Sequence, residues 1–182
     1  MRKNVTLWAM LLGLIFSVQA RAVEELKLDA EKSKIEFVGS KSDGKHTGGF
    51  KKFDVTAKAD LENPAKSELK IVMETESLYS DDNNLTNHLK NPDFFNVRKY
   101  PKITFESTKV EPINETEAKI HGKLTMLDKT VEVVVPAKVE HEEKTMKLNV
   151  DFKIDRTKWG MTYGEGKINK EVDIKALLVF KM

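Results

Sequence analysis

Apolar and polar residues alternate along most of this chain. Val172, Ile174, Ala176, Leu178 and Phe180 share one face near the C-terminus. Before them, Met146, Leu148, Val150, Phe152 and Ile154 face one way while Lys147, Asn149, Asp151 and Lys153 face the other. The same period runs through Ala118, Ile120, Gly122, Leu124 and Met126, and through Val131, Val133 and Val135. It recurs at Ile103 and Phe105, at Leu69, Ile71 and Met73, at Val55, Ala57, Ala59 and Leu61, and at Ile35 and Phe37. Period two with one apolar face predicts antiparallel strands that are wet on one side. At least eight such strands follow one another, several joined by short polar turns such as residues 127–130 and 140–144, which pair neighbours as hairpins. Eight strands of this kind close into a barrel or stack as a sandwich. The barrel is the favoured reading, because closure removes exposed edges.

One segment breaks the alternation. In "SDDNNLTNHLKNP", Asp81 or Asp82 is an N-cap candidate, and Leu85, His88 and Leu89 fall on one helical face. Pro92 forces Asn91 out of helical geometry and ends the helix. Phe94 and Phe95 follow at once, and Pro101 opens the next strand. A helix too short to stand alone must pack on something. In a barrel, this insertion most naturally crosses one mouth.

The first residues read differently. Arg2 and Lys3 precede an apolar run of 12 residues at positions 7–18, and Ala20 and Ala22 follow it. This is the layout of a secretory signal peptide, predicted as residues 1–22 with cleavage after Ala22. The run is shorter than the roughly 20 residues of a membrane span, and no cysteine follows it to carry a lipid anchor. Residues 23–182 then form one domain in a periplasmic or secreted setting. Cleavage removes Arg2, Lys3 and Arg21 from 31 basic residues and none of the 29 acidic ones, taking the net charge from +2 to −1. Interspersed signs near neutrality leave no nucleic-acid footprint. Without cysteine the core must stabilise the fold unaided.

Several blocks then resemble one family. "NHLKNPDFFNVRKYPKITFEST", "IHGKLTMLDKTVEVVVPAKV", "FKIDRTKWGMTYG", "EVDIKALLVF" and "FVGSKSDGKHTGGF" are similar, in order, to the blocks of the YceI-like family. Asn96 stands where that family usually has Asp, and Asp128 where Gly is common. The resemblance implies an all-β fold: an extended antiparallel eight-stranded lipocalin-like barrel with the short helix across one mouth. It implies a long-chain lipid as partner, an isoprenoid such as a polyprenyl phosphate or quinone, or an acyl lipid, with its tail inside and its head near the opening. No cofactor besides that lipid and no stable membrane insertion are expected. A homodimer is left open.

The candidate ligand-binding residues are Phe37, Phe50, Leu85, His88, Leu89, Phe94, Phe95, Phe105, Arg156, Trp159 and Tyr163. One of Phe94 and Phe95 is expected in the core and the other on the cavity. His88 offers a head-group hydrogen bond or, in the preferred reading, a bond to a neighbouring strand. Arg156 either clamps a phosphate or pairs with Asp155, and Trp159 either stands at the entrance or seals the barrel bottom. Gly44, Gly48 and Gly49 around His46 read as a solvated turn needing unusual dihedrals, with Lys45 and His46 as the competing head-group reading. Ala57, Ala59, Gly122 and Ala176 are small inward residues that leave room for a cavity. Histidines 46, 88, 121 and 141 lack metal-site spacing. No nucleophile elbow or phosphate-cradling loop is present, so an enzyme is not expected. The competing class is a fully packed structural or stress-response barrel.

Overall fold

The computed structural model describes residues 23–60 and 62–182. The signal peptide, its cleavage site and the inward assignment of Leu61 lie outside them. Eleven strands and one helix follow in order. They are β1 (Glu24–Leu28), β2 (Lys34–Lys41), β3 (Gly44–Phe50), β4 (Phe53–Ala59), β5 (Glu68–Glu74), β6 (Leu78–Ser80), α1 (Asn83–Leu89), β7 (Lys102–Pro112), β8 (Glu117–Met126), β9 (Lys129–Glu142), β10 (Thr145–Asp155) and β11 (Glu171–Lys181).

Eight of these strands close an antiparallel barrel. The path runs β1-β4-β5-β7-β8-β9-β10-β11 and returns to β1, which pairs Leu28 with Phe180. On the edge away from β10, β11 serves two partners. Its end at Phe180 and Lys181 meets β1, while Asp173–Leu177 meets β2. From β2 the sheet continues through β3 to β6, so a three-stranded flap rises beside the barrel towards one end. That end also gathers α1, residues 90–101 and residues 156–170. The β8–β9 turn is a two-residue hairpin whose Leu127 and Asp128 both have positive φ, 52° and 57°. Asp tolerates that region and the type I′ twist suits the strands, which explains how Asp128 replaces glycine. Asn96, at φ 44°, is accommodated in the same way.

Asp82 is the N-cap of α1, its carboxylate accepting from Leu85 N at 2.7 Å. The aromatic pair after the helix is tied back to it: Phe95 N donates to Leu89 O and Val97 N to Lys90 O. Thr75, 1% exposed, locks this segment to the wall by donating Oγ1 to Tyr100 O at 2.8 Å.

The glycines of β3 do not act through dihedrals, contrary to the turn reading. They lie in a strand with no positive φ; Gly160, Gly164 and Gly166 are the glycines that have one. Gly48 and Gly49 are instead required by contact. A Cβ on Gly48 would meet the Phe37 ring at 2.4 Å and Tyr79 O at 2.6 Å, and one on Gly49 would meet Ile35 O at 2.6 Å.

Candidate ligand-binding cavity

The inward faces enclose a cavity of about 410 Å³. Aliphatic side chains from seven strands line its depth, among them Ile71, Ile120, Val135, Leu148, Ile174 and Leu178. Leu26, Ala57, Ala59 and Phe180 are buried beyond it and fill the far end. Of the four small residues expected to leave room, Ala176 alone lines the cavity. Gly122 is covered by the Phe105 ring, which a Cβ would meet at 2.5 Å. The β1–β4 alanines allow close packing, not empty space.

Ten of the eleven candidate residues border the cavity. Phe37, Phe50 and Phe95 form an aromatic cluster in its wall, with Phe95 6.2 Å from Phe37 and 5.9 Å from Phe50 between ring centroids. Phe94, His88 and Tyr163 form a second cluster nearer solvent, at 4.9 to 5.3 Å. The expected split between Phe94 and Phe95 is therefore not observed: both line the cavity, at different depths. Residues 92–95 form turns rather than a strand, so the two adjacent rings need not point to opposite sides. Leu85 and Leu89 reach in from α1, and Phe105 from β7. His88 bonds no strand; its Nε2 lies 3.0 Å from Asp93 Oδ2, just beyond its own helix.

Trp159 is the exception. It is 1% exposed, lies outside the cavity lining, and donates Nε1 to Leu124 O at 3.0 Å. Its position follows from a break in the wall. β9 and β10 pair only from Ala137 and Val150 outwards, so Lys129–Pro136 and Asp151–Asp155 have no partner across that seam. The 3-10 turn Arg156–Trp159 packs against β9 there. Trp159 thus seals the side of the barrel near the mouth, not its bottom.

Arg156 borders the cavity and is 4% exposed, but it pairs with no carboxylate among the described residues. Its Nε donates to Asn169 O at 3.1 Å, one Nη to Met161 O at 2.6 Å and the other to Ile168 O at 3.2 Å. The expected pairing with Asp155 is absent because that carboxylate accepts from Thr157 N and Oγ1. Those bonds hold Asp155 below the usual carboxylate range, while burial lowers the Arg156 guanidinium.

Among the lining residues that sequence reasoning left out of the candidate set are Lys41, His46, Met161, Ile168 and Asn169. His46 stands opposite Gly39 on the inner face of β3. Its alternation with Gly48 and Phe50 was the available signal, hidden because two of the inward residues are glycine or histidine. Asp81 accepts from Thr47 N at 2.9 Å and lies 3.0 Å from His46 Nδ1, and both contacts lower its pKa, the backbone bond foremost.

The fold and the site together define a closed antiparallel barrel around one apolar chamber with a polar mouth. Residues 26–180 match the YceI-like domain, and the chain belongs to that family. It is 29% identical to the YceI protein of Salmonella newport, over 96% of this chain and 95% of that one. A UPF0312 protein of Ectopseudomonas mendocina is 37% identical over 97 residues, a match spanning about half the length of either chain (53% and 51%). Among solved structures, Burkholderia cenocepacia BcnA superposes with TM-score 0.80 and 27% identity, covering 84% of this chain and 99% of its own. A polyisoprenoid binding domain from Saccharophagus degradans shares the fold at TM-score 0.69 and 13% identity, over 88% and 99%. Among the described residues no helix is long and apolar enough to cross a membrane, and no cluster of three metal-ligating side chains occurs.

Proposed function

We propose that this protein is a non-enzymatic carrier or sequestering protein that holds a long-chain isoprenoid or acyl lipid in its barrel, in a periplasmic or secreted setting. One observation carries the reading: an interior lined almost throughout by aliphatic and aromatic side chains, with polar groups gathered at one end. Each methylene withdrawn from water into such a space contributes about 0.8 kcal/mol. A tail of a dozen or more methylenes is then held firmly without any bond to its chain. The polyisoprenoid binding domain that shares this fold supports the same ligand class.

Native mass spectrometry of the protein, followed by organic extraction, tests the proposal. A mass increment that leaves with the solvent and proves to be an isoprenoid or acyl lipid supports it. A protein that carries nothing and takes up no added lipid of either kind overturns it in favour of a packed structural barrel.

A further inference from the structure

We infer that Arg156 is the head-group subsite of this cavity and that the preferred ligand is a lipid ending in an oxyanion, a carboxylate or a phosphate, rather than a neutral quinone, alcohol or amide. The inference rests on the lipid-binding reading and narrows it to one ligand charge.

Charge balance is the argument. Arg156 is 4% exposed and forms part of the cavity wall. Its three contacts are all backbone carbonyls, which carry dipoles but no net charge. A buried cation without a counter-charge is costly. Asp155, its nearest neighbour in sequence, is turned to Thr157 and to Lys170, 3.9 Å away. Glu36, which alone brings a carboxylate to the lining, pairs with Lys34 at 2.9 Å. The other cationic lining groups have partners: Lys41 faces Asp43 at 3.4 Å, His46 faces Asp81, and His88 faces Asp93. Asp155 and Glu165 act on Arg156 only from beyond ion-pair distance, so among the described residues it is the cationic lining group with no carboxylate in direct contact. A guanidinium carries five N–H groups. Three are taken, and two remain, one on each terminal nitrogen, to meet an oxyanion. Its place beside the mouth leaves the aliphatic depth, down to Leu148 and Leu178, for the tail.

The test uses delipidated protein and four probes with one tail: oleyl phosphate, oleate, oleyl alcohol and oleamide. Oleyl phosphate and oleate should bind wild type at least about ten-fold tighter than the neutral pair, the scale of one charge-assisted hydrogen bond. Arg156→Gln should bring all four within about two-fold, and Arg156→Lys should keep part of the preference. If Arg156→Gln does not fold, wild type still decides. Residues 23–182 contain two arginines, Arg98 and Arg156, so an arginine-labelled sample gives two side-chain Nε–H signals. One of them should shift with oleyl phosphate and not with inorganic phosphate or oleyl alcohol.

Equal binding of all four probes would leave a lipid carrier with no anion subsite and overturn this inference alone. A preference lost in Lys41→Ala or His46→Ala but kept in Arg156→Gln would move the subsite to the rim and also overturn it. Failure of every probe to bind would instead remove the proposed function.

Discussion

Adding one methyl group at Gly48 should have a large effect, and adding one at Gly44 should have almost none. The new Cβ at position 48 would lie 2.4 Å from Phe37 Cζ and 2.6 Å from Tyr79 O, against an ordinary contact of at least 3.4 Å. The ring must retreat by about 1 Å, and the cavity is there to receive it. The carbonyl cannot retreat without parting β3 from β6, which pair over three residues only. Overpacking of this kind costs roughly 1–3 kcal/mol. A domain of this size loses about 2–4 °C per kcal/mol, so Tm should fall by roughly 2–12 °C. Gly44 has nothing within 4 Å and no positive φ. Gly44→Ala should therefore leave Tm unchanged or raise it slightly, because alanine reduces the freedom of the unfolded chain. Calorimetry of both variants is the assay. Phe37→Leu added to Gly48→Ala should relieve part of the strain, with a coupling of at least about 0.5 kcal/mol. A Gly48→Ala protein as stable as wild type would refute the contact explanation of these glycines.

Trp159→Phe leaves Leu124 O without its buried donor and should lower stability by about 1–3 kcal/mol in urea titrations; in the chain lacking residues 1–22, Trp159 is the single tryptophan, and its emission should be blue-shifted and resist acrylamide. Phe95→Asp places a carboxylate between the Phe37 and Phe50 rings and should abolish lipid retention in native mass spectra, whereas His46→Ala, at the rim, should only weaken it. The depressed carboxylates Asp81, Glu106, Glu111, Glu142 and Asp155 bind fewer protons folded than unfolded, so the stability they add is present above the usual carboxylate range and is lost as pH falls through and below it; a urea midpoint that does not decline from pH 6 to pH 3 would refute this. A disulfide joining Lys41→Cys to Ile168→Cys, paired positions in a chain without cysteine, should slow lipid transfer to vesicles several-fold, and reductant should restore it.

The barrel was legible because each strand carries its own evidence. Alternation at Met146 to Ile154 reports one buried face whatever the neighbouring strand is. The helix was legible for a similar local reason, since the Asp82 cap and Pro92 act within a few residues of themselves. What was not legible depends on pairs distant in sequence. Gly48 is small because Phe37 and Tyr79 crowd it, and those contacts exist only once β2, β3 and β6 are paired. Gly122 looked like room for a ligand until Phe105, on the next strand, occupied it. Trp159 resembled a mouth residue because its loop does reach the mouth. Its own place is set by the parting of β9 from β10, and only Pro136, which has no N–H to give, marks that point in the sequence. His46 was undervalued because a histidine among glycines has the composition of a turn, although its spacing from Phe50 is that of a strand.

The seam between β9 and β10 also bears on how a ligand enters. A carrier must open, and most of this wall cannot open cheaply, because each backbone group unpaired in apolar surroundings costs about 1–3 kcal/mol. Residues 160–169 are differently held. They start at the Trp159 seal and return to the sheet through Asn169 N, which donates to Ser40 O at 2.8 Å, and the single pairing of Lys41 with Ile168. Between these ends, the Arg156 guanidinium gathers three of the segment's carbonyls. Tyr163, 45% exposed, stacks from this segment onto His88 and Phe94 and so joins it to the α1 side of the mouth. Lifting it breaks few bonds and exposes Arg156, which has no carboxylate in direct contact among the described residues. An oxyanion at the mouth would take the two guanidinium N–H groups that these carbonyls leave free. The carbonyls keep their own bonds to the guanidinium, so the segment can close again over a bound head group.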